Sequence, residues 1–338
     1  MLEKPDIPDR KILTCIKAEY GLQIVQITFL PLGGDLSTAV YRATTENETR
    51  YFCKLKRSNF DEISVALPKY LSNQGISQII SPLATKTGQL WADLEEFKLI
   101  LYPFVEGISG YELELSEGQW AEFGEALKRI HSTIIPSALN QDMQKEQYSL
   151  EWREICRNII KRLDYEKFED PIRNEWSALL NTKREMILDA ANRAEQLAKV
   201  MDSLEMEFVP CHSDIHPGNL FIDTKGAVLI VDWDYPMLAP KERDLMFIGG
   251  GQGFMPYIAE QEEELFYQGY GQAELDPIAL TYYRYERGIT DISVESERIL
   301  SNTLGEQDRA QSLEYLRYYF LPGCTLEMAQ KLDKTLED

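Results

Sequence analysis

Apolar and polar positions change their spacing several times along the 338-residue chain. Residues 9–20 carry a helical period that stops at Gly21. The period then drops to two. "LQIVQITFLPL" runs as a strand up to Gly33-Gly34, and "AVYRATTENETRYFCKLK" predicts a hairpin turning at Thr45-Glu46-Asn47-Glu48. In the second arm Tyr51, Cys53 and Leu55 share one face, and Phe52, Lys54 and Lys56 the other. Residues 59–72 read as a helix capped by Asn59 or Ser58, with Asp61 and Glu62 in its first turn. Pro68 inside it predicts a kink or a break, since an interior proline costs about 3 kcal/mol. Residues 76–104 return to strands and end in the apolar run "FKLILYPF".

From Glu117 onward the period is helical. Trp120, Phe123, Leu127 and Ile130 mark one stripe, and further tracts cover about 150–168 and 172–204. Two short strands, "NLFI" and "AVLIV", interrupt this region around the tight turn Asp223-Thr-Lys-Gly226, and helices resume from about 242. Mostly β first and mostly α later is an α+β, two-lobed plan. The expected division is 1–104 and 108–338, with a linker at about 101–107.

Composition narrows the partners. A chain of this length exceeds what one core usually organises. The formal charge of −21 opposes binding to nucleic acid or an anionic membrane, and it suits a cationic ligand. Five cysteines, at 15, 53, 156, 211 and 324, form no CxxC pair and read as reduced thiols of a cytoplasmic protein. No run of about 18 apolar residues predicts a membrane span, and the first residues lack a signal peptide's apolar stretch. Oligomeric state has no signature in the sequence.

The chemistry concentrates in "CHSDIHPGNLFIDTKGAVLIVDWD", residues 211–234. A hairpin returns its second strand beside its first, so Asp232 comes back near Asn219, with Asp214 close in sequence. Carboxylate and amide oxygens with few nitrogens suit Mg²⁺ and substrate phosphates. A carboxylate five residues before the Asn can accept a hydroxyl proton, as in kinase-type phosphoryl transfer.

These residues resemble the aminoglycoside phosphotransferase family of the protein-kinase-like superfamily. "HSDIHPGNL" is similar to its H-G-D-[LI]-H-P-G-N pattern, with Ser213 where the family usually has Gly, and "IVDWD" to its [IV]-D-[FW]-[DE]. "LGGDLSTAVYRA", "YFCKLK", "LILYPFVEG", "FGEALKRIHST" and "PMLAPKERDLMFIG" follow in the family's order. "DWDYPMLAPKERDLMFIGGG" and "YYRYERGITDI" look most similar to the family's spectinomycin phosphotransferases.

The resemblance implies a kinase-like fold, a small nucleotide-binding lobe, ATP and Mg²⁺ as cofactors, and transfer to a hydroxyl of a small cationic acceptor. Choline, homoserine, methylthioribose or fructosamine are alternative acceptors within the fold, and a non-catalytic pseudokinase is a remoter one. It implies Asp214 as catalytic base, with Asn219 and Asp232 as metal ligands. Asp234 reads equally as a second ligand or as a surface charge. Of the two lysines, the family register picks Lys54 for the phosphates and leaves Lys56 solvated. Glu62 is the candidate partner of that lysine. Gly33, Gly34 and Ser37 stand at the phosphate loop, and Tyr102 and Phe104 at the adenine edge. His212 and Asp244 support the catalytic loop. Tyr283, Glu286 and Asp291 are expected to wall the acceptor site.

Overall fold

The computed structural model describes residues 4–32, 37–57, 60–249 and 259–337. The chain forms two compact units. The first comprises residues 1–113, 133–143 and 218–236, and the second 114–132, 144–217 and 237–338. A single boundary at 104–108 therefore misses two later returns of the chain to the first unit. The second of these is the hairpin that carries Asp232.

The first unit opens with α1 (Asp9–Cys15), which runs on as a π-helical turn to Tyr20 and stops at Gly21, φ +73°. Strands β1 (Ile24–Leu30), β2 (Thr38–Thr45) and β3 (Arg50–Lys56) follow. After α2 (Ile63–Asn73) come β4 (Ala92–Leu94) and β5 (Phe97–Pro103), completing a sheet of order β1-β2-β3-β5-β4. Strand period two sends Tyr41, Ala43, Cys53, Leu55, Leu99 and Leu101 into the apolar core against Ile12 and Ile16. The opposite face of β3, the central strand, holds Lys54 and Lys56, both buried.

Helix α2 departs from expectation twice. It begins at Ile63, whose N–H donates to Asp61 Oδ1 at 2.9 Å. The candidate caps Ser58 and Asn59 lie outside the described residues. Pro68 does not break it. Burial of Ile63, Val65, Leu67, Pro68 and Leu71 offsets the lost hydrogen bond. A short strand β6 (Gly107–Ser109) occupies what reads in sequence as a linker.

In the second unit Ser116 and Gln119 form a capping box at the start of α3 (Glu117–His131). The chain returns to the first unit as α4 (Ser137–Asp142). Strand β7 (Gln144–Lys145), α5 (Glu151–Arg162), α6 (Pro171–Met201) and β8 (Val209–Cys211) follow. Next come the hairpin strands β9 (Leu220–Asp223) and β10 (Val228–Ile230) of the first unit, paired with β6 in the order β10-β9-β6. Strand β11 (Met237–Ala239) pairs with β7 and β8, and α7 (Glu242–Leu245) and α8 (Ala259–Tyr270) follow. Then come α9 (Pro277–Leu300), α10 (Glu306–Tyr318) and α11 (Thr325–Glu337). Helix α9 packs against α5, α6, α10 and α11, so it is buried on several faces. No helix among the described residues is long and apolar enough to cross a membrane.

Helices α3 and α8 approach closely at Gly124 and Gly269. A Cβ at Gly124 would meet the carbonyl of Phe266, and one at Gly269 that of Ala121. Gly124→Ala is expected to destabilise the second unit by about 1–3 kcal/mol, the usual cost of overpacking, readable as a lower urea midpoint.

Candidate functional site

Lys54 and Lys56 leave the same face of β3 because strand side chains alternate. The β9–β10 hairpin pairs Ile230 with Leu220, and the Val231 N–H donates to the Asn219 carbonyl at 2.9 Å. That bond brings the residues after Val231 back beside Asn219. Lys54 Nζ donates to Asp232 Oδ1 at 2.8 Å and to Asp234 Oδ1 at 2.7 Å. Lys56 Nζ lies 2.9 Å from Asp234 Oδ2 and 5.3 Å from the ring centroid of Tyr235. The Asp234 side chain is 10 % exposed and that of Asp232 47 %.

Two expectations change here. Lys54 is held by Asp232 and Asp234, whereas Glu62 is exposed at the start of α2 and does not serve as its partner. Lys56 is not solvated: it is 4 % exposed and ion-paired. Burial pushes the Lys54 ammonium down, but Asp232 and Asp234 outweigh it and hold the group well above its ordinary value. Burial likewise pushes the Asp234 carboxyl up, and the two lysines outweigh it and bring it below the usual range.

Asn219 and Asp232 offer only hard oxygen donors, and Asp232 stays half exposed with one oxygen on Lys54. That donor chemistry fits Mg²⁺. Asp234 differs, since both its oxygens are occupied by lysines.

Of the remaining nucleotide-site candidates, Gly33 and Gly34 lie outside the described residues. The Ser37 carbonyl accepts from the Arg57 N–H. Tyr102 stands opposite Phe52 in the sheet, its phenol raised by burial. The Phe104 N–H donates to the Arg50 carbonyl at 3.3 Å, and the Leu101 carbonyl accepts from Leu83 at 2.8 Å.

The second unit holds the loop His212–Pro217. Buried Asp244 clamps its backbone, accepting from His212 N–H at 2.8 Å and from Ser213 N–H at 2.6 Å. His131 Nε2 lies 3.0 Å from the same carboxylate, and its Nδ1 lies 2.8 Å from the Tyr270 hydroxyl. Burial pushes Asp244 up, but these partners outweigh it and keep the carboxyl low. The Asp214 N–H donates to His212 Nδ1 at 3.3 Å. His131, Cys211 and Asp244 cluster closely enough to suggest a metal, yet both Asp244 oxygens already accept backbone donors. The arrangement is a brace for the loop.

Asp214 Oδ1 accepts from Arg287 Nη1, and His216 Nε2 lies 3.8 Å from Oδ2. Arg287 in turn donates through Nε to Asp291 at 2.9 Å and lies 5.2 Å from the Phe247 ring centroid. Arg287 and His131 are the residues that reading the sequence missed. Each had a signal: Arg287 stands four positions before Asp291 on a helix, and His131 is one of only three histidines.

The expected acceptor wall is not as predicted. Tyr283 is 1 % exposed, with Arg243 5.6 Å from its ring centroid. Glu286 pairs with buried Arg153 at 3.1 Å, and burial raises its carboxyl to about 7 despite that arginine. Asp291 is spent on Arg287, its carboxyl raised by burial. Helix α9 is packed on several sides, so alternating aromatic and charged positions did not identify an open face.

Ser213 occupies a backbone conformation that favours glycine. Its φ is +73°, a left-handed conformation that costs a non-glycine residue about 1–3 kcal/mol, and its buried Oγ has no hydrogen-bond partner among the described residues. Ser213→Gly is expected to stabilise the protein by about that amount, raising Tm by some degrees in a thermal melt. An unchanged or lower Tm would contradict the strain.

A family model described as the phosphotransferase enzyme family matches residues 28–287. A search of curated proteins gives no match. Among solved structures, spectinomycin phosphotransferase APH(9)-Ia in complex with ADP and spectinomycin is 35 % identical, with a TM-score of 0.88 over 97 % of this chain and 99 % of that one. The AMP-bound complex of the same enzyme is 34 % identical, with a TM-score of 0.83 over 95 % and 97 %. An aminoglycoside phosphotransferase from Alicyclobacillus acidocaldarius shares the fold at 16 % identity, with a TM-score of 0.64 over 99 % and 98 %.

Proposed function

This chain belongs to the phosphotransferase enzyme family, and from that membership we propose that it transfers the γ-phosphoryl group of ATP, with Mg²⁺, to a hydroxyl of a cationic aminocyclitol, spectinomycin first. At the coarser level it is a phosphotransferase with an alcohol group as acceptor. The acceptor class is carried by the likeness to spectinomycin phosphotransferase along nearly the whole of both chains.

In this reading Asp214 is the base. Arg287 holds Oδ1 and orients the carboxylate, which accepts the acceptor's proton late in the reaction. Lys54 turns to the phosphates and balances the charge that develops there. Asn219 and Asp232 would hold the metal, which would supply neutralisation of phosphate charge. Asp244, His131 and His212 keep the loop rigid, so the base is positioned before substrate arrives.

The net charge of −21 supports a cationic acceptor by concentrating and steering it. Glu286 and Asp291 no longer argue for one, because each already has an arginine. Coupled ADP-release assays with spectinomycin, other aminoglycosides, choline and homoserine test the reading. Spectinomycin is expected to give a clear rate. No release with spectinomycin, beside a strong rate with choline or homoserine, moves the enzyme to another acceptor and leaves phosphotransfer intact.

Salt gives a further check. KM for the acceptor is expected to climb between about 10 and 150 mM salt, as the Debye length shrinks from roughly 30 to 8 Å. KM for ATP is expected not to follow the same trend. A flat acceptor KM would remove steering from the account.

A further inference from the structure

The structure shows a chain of ion pairs, Lys56–Asp234–Lys54–Asp232, in which Lys54 and Asp234 each have two partners. Resting on the phosphotransfer reading, we infer that Lys56 is a positioning residue: it holds Asp234 so that Lys54 can leave that carboxylate for the nucleotide's phosphates.

The geometry carries this. Asp232 is half exposed, so water can solvate its carboxylate when Lys54 leaves it. Asp234 is buried, and a buried carboxylate stripped of its cation is costly. If Lys54 were its sole cation, phosphates would have to pull Lys54 away from an anion left stranded. Lys56 removes that conflict. Its ammonium sits on Asp234 Oδ2, the oxygen Lys54 does not use, and beside the Tyr235 ring. Two-residue spacing on β3 makes this possible: positions 54 and 56 share a face of the strand, and Asp234 reaches both. Asp234 is then an anchor for lysines, while Asp232 keeps the role of metal ligand.

Calorimetric titration of ADP, with and without Mg²⁺, into the wild type, Lys56→Met, Lys56→Arg, Asp234→Asn and the double variant Lys56→Met/Asp234→Asn tests this. Without metal, Lys56→Met is expected to bind ADP about ten- to a hundredfold more weakly, the range of a hydrogen bond to a charged group. Lys56→Arg keeps the charge and keeps the affinity. The double variant, which removes the stranded anion, regains the wild-type affinity to within about twofold. A purely structural lysine would show no such rescue. Wild-type affinity in Lys56→Met, or a double variant as weak as Lys56→Met, overturns the inference.

Should Lys56→Met not fold, Asp234→Asn decides alone. Its ADP affinity without metal is expected to hold or rise, with the gain from Mg²⁺ unchanged. A lost gain makes Asp234 a metal ligand and overturns the inference. Failure of ADP to bind the wild type under either condition is a different result, and it overturns the phosphotransfer reading itself.

Discussion

Asp214→Asn is expected to slow acceptor phosphorylation by about 10²- to 10⁴-fold, the usual contribution of a general base, while ADP binding stays intact. The amide keeps the shape and can still accept from Arg287, but it cannot take the acceptor's proton. Single-turnover rates with matched calorimetry check this. A variant that keeps more than about a tenth of the rate removes Asp214 from the role.

The protonation of Asp214 sharpens the expectation. Burial pushes its carboxyl up, but Arg287, with His216 and His212, outweighs burial and holds it at about 2. A carboxyl depressed in the folded state stabilises the fold above its usual value of 3.8, and that contribution is lost as pH falls toward 2. Asp214 is therefore already ionised wherever the enzyme is assayed near neutrality, and it contributes no acid limb to kcat/KM there. Arg287→Met removes its main counter-charge. The Asp214 carboxyl is then expected to rise, shifting loss of activity on acidification to higher pH. A pH profile unchanged from the wild type would mean that Arg287 does not govern the base.

Lys54→Met carries the second large effect. Loss of one charged donor from a site of developing charge costs about 10²- to 10³-fold in turnover, and KM for ATP is expected to rise with it. The fold should survive, because Lys56 still pairs with Asp234 and Asp232 is half exposed. A melting curve close to wild type beside a collapsed rate is the expected pair of results. A mild Lys54→Met with an inactive Lys56→Met would transfer the phosphate role by two residues along β3.

Much of this was legible in the sequence. The turn at Thr45–Glu48, the stop at Gly21, the apolar stripe of α3 and the hairpin around Asp223–Gly226 are local. They are set by turn chemistry, capping and hydrophobic period within a few residues. The same local logic returns Asp232 beside Asn219, because a tight hairpin leaves its strands nowhere else to go. It also places Lys54 and Lys56 on one face.

Tertiary structure decided which charges meet. Glu62 was the expected partner of Lys54 and Asp234 a metal ligand or a surface charge, and only the assembled sheet and hairpin put Asp234 beside the lysine. Lys56 read as a solvated lysine because a strand's pattern shows which face a residue takes, not what covers that face. Helix α9 shows the limit most clearly. Its mixture of tyrosines and charges does not state which side stays open when α5, α6, α7, α10 and α11 pack around it. Packing buried Tyr283, paired Glu286 with Arg153 and delivered Arg287 to Asp214, 73 positions away in sequence. Partners that distant are chosen by burial of charge across elements, and no local period encodes that.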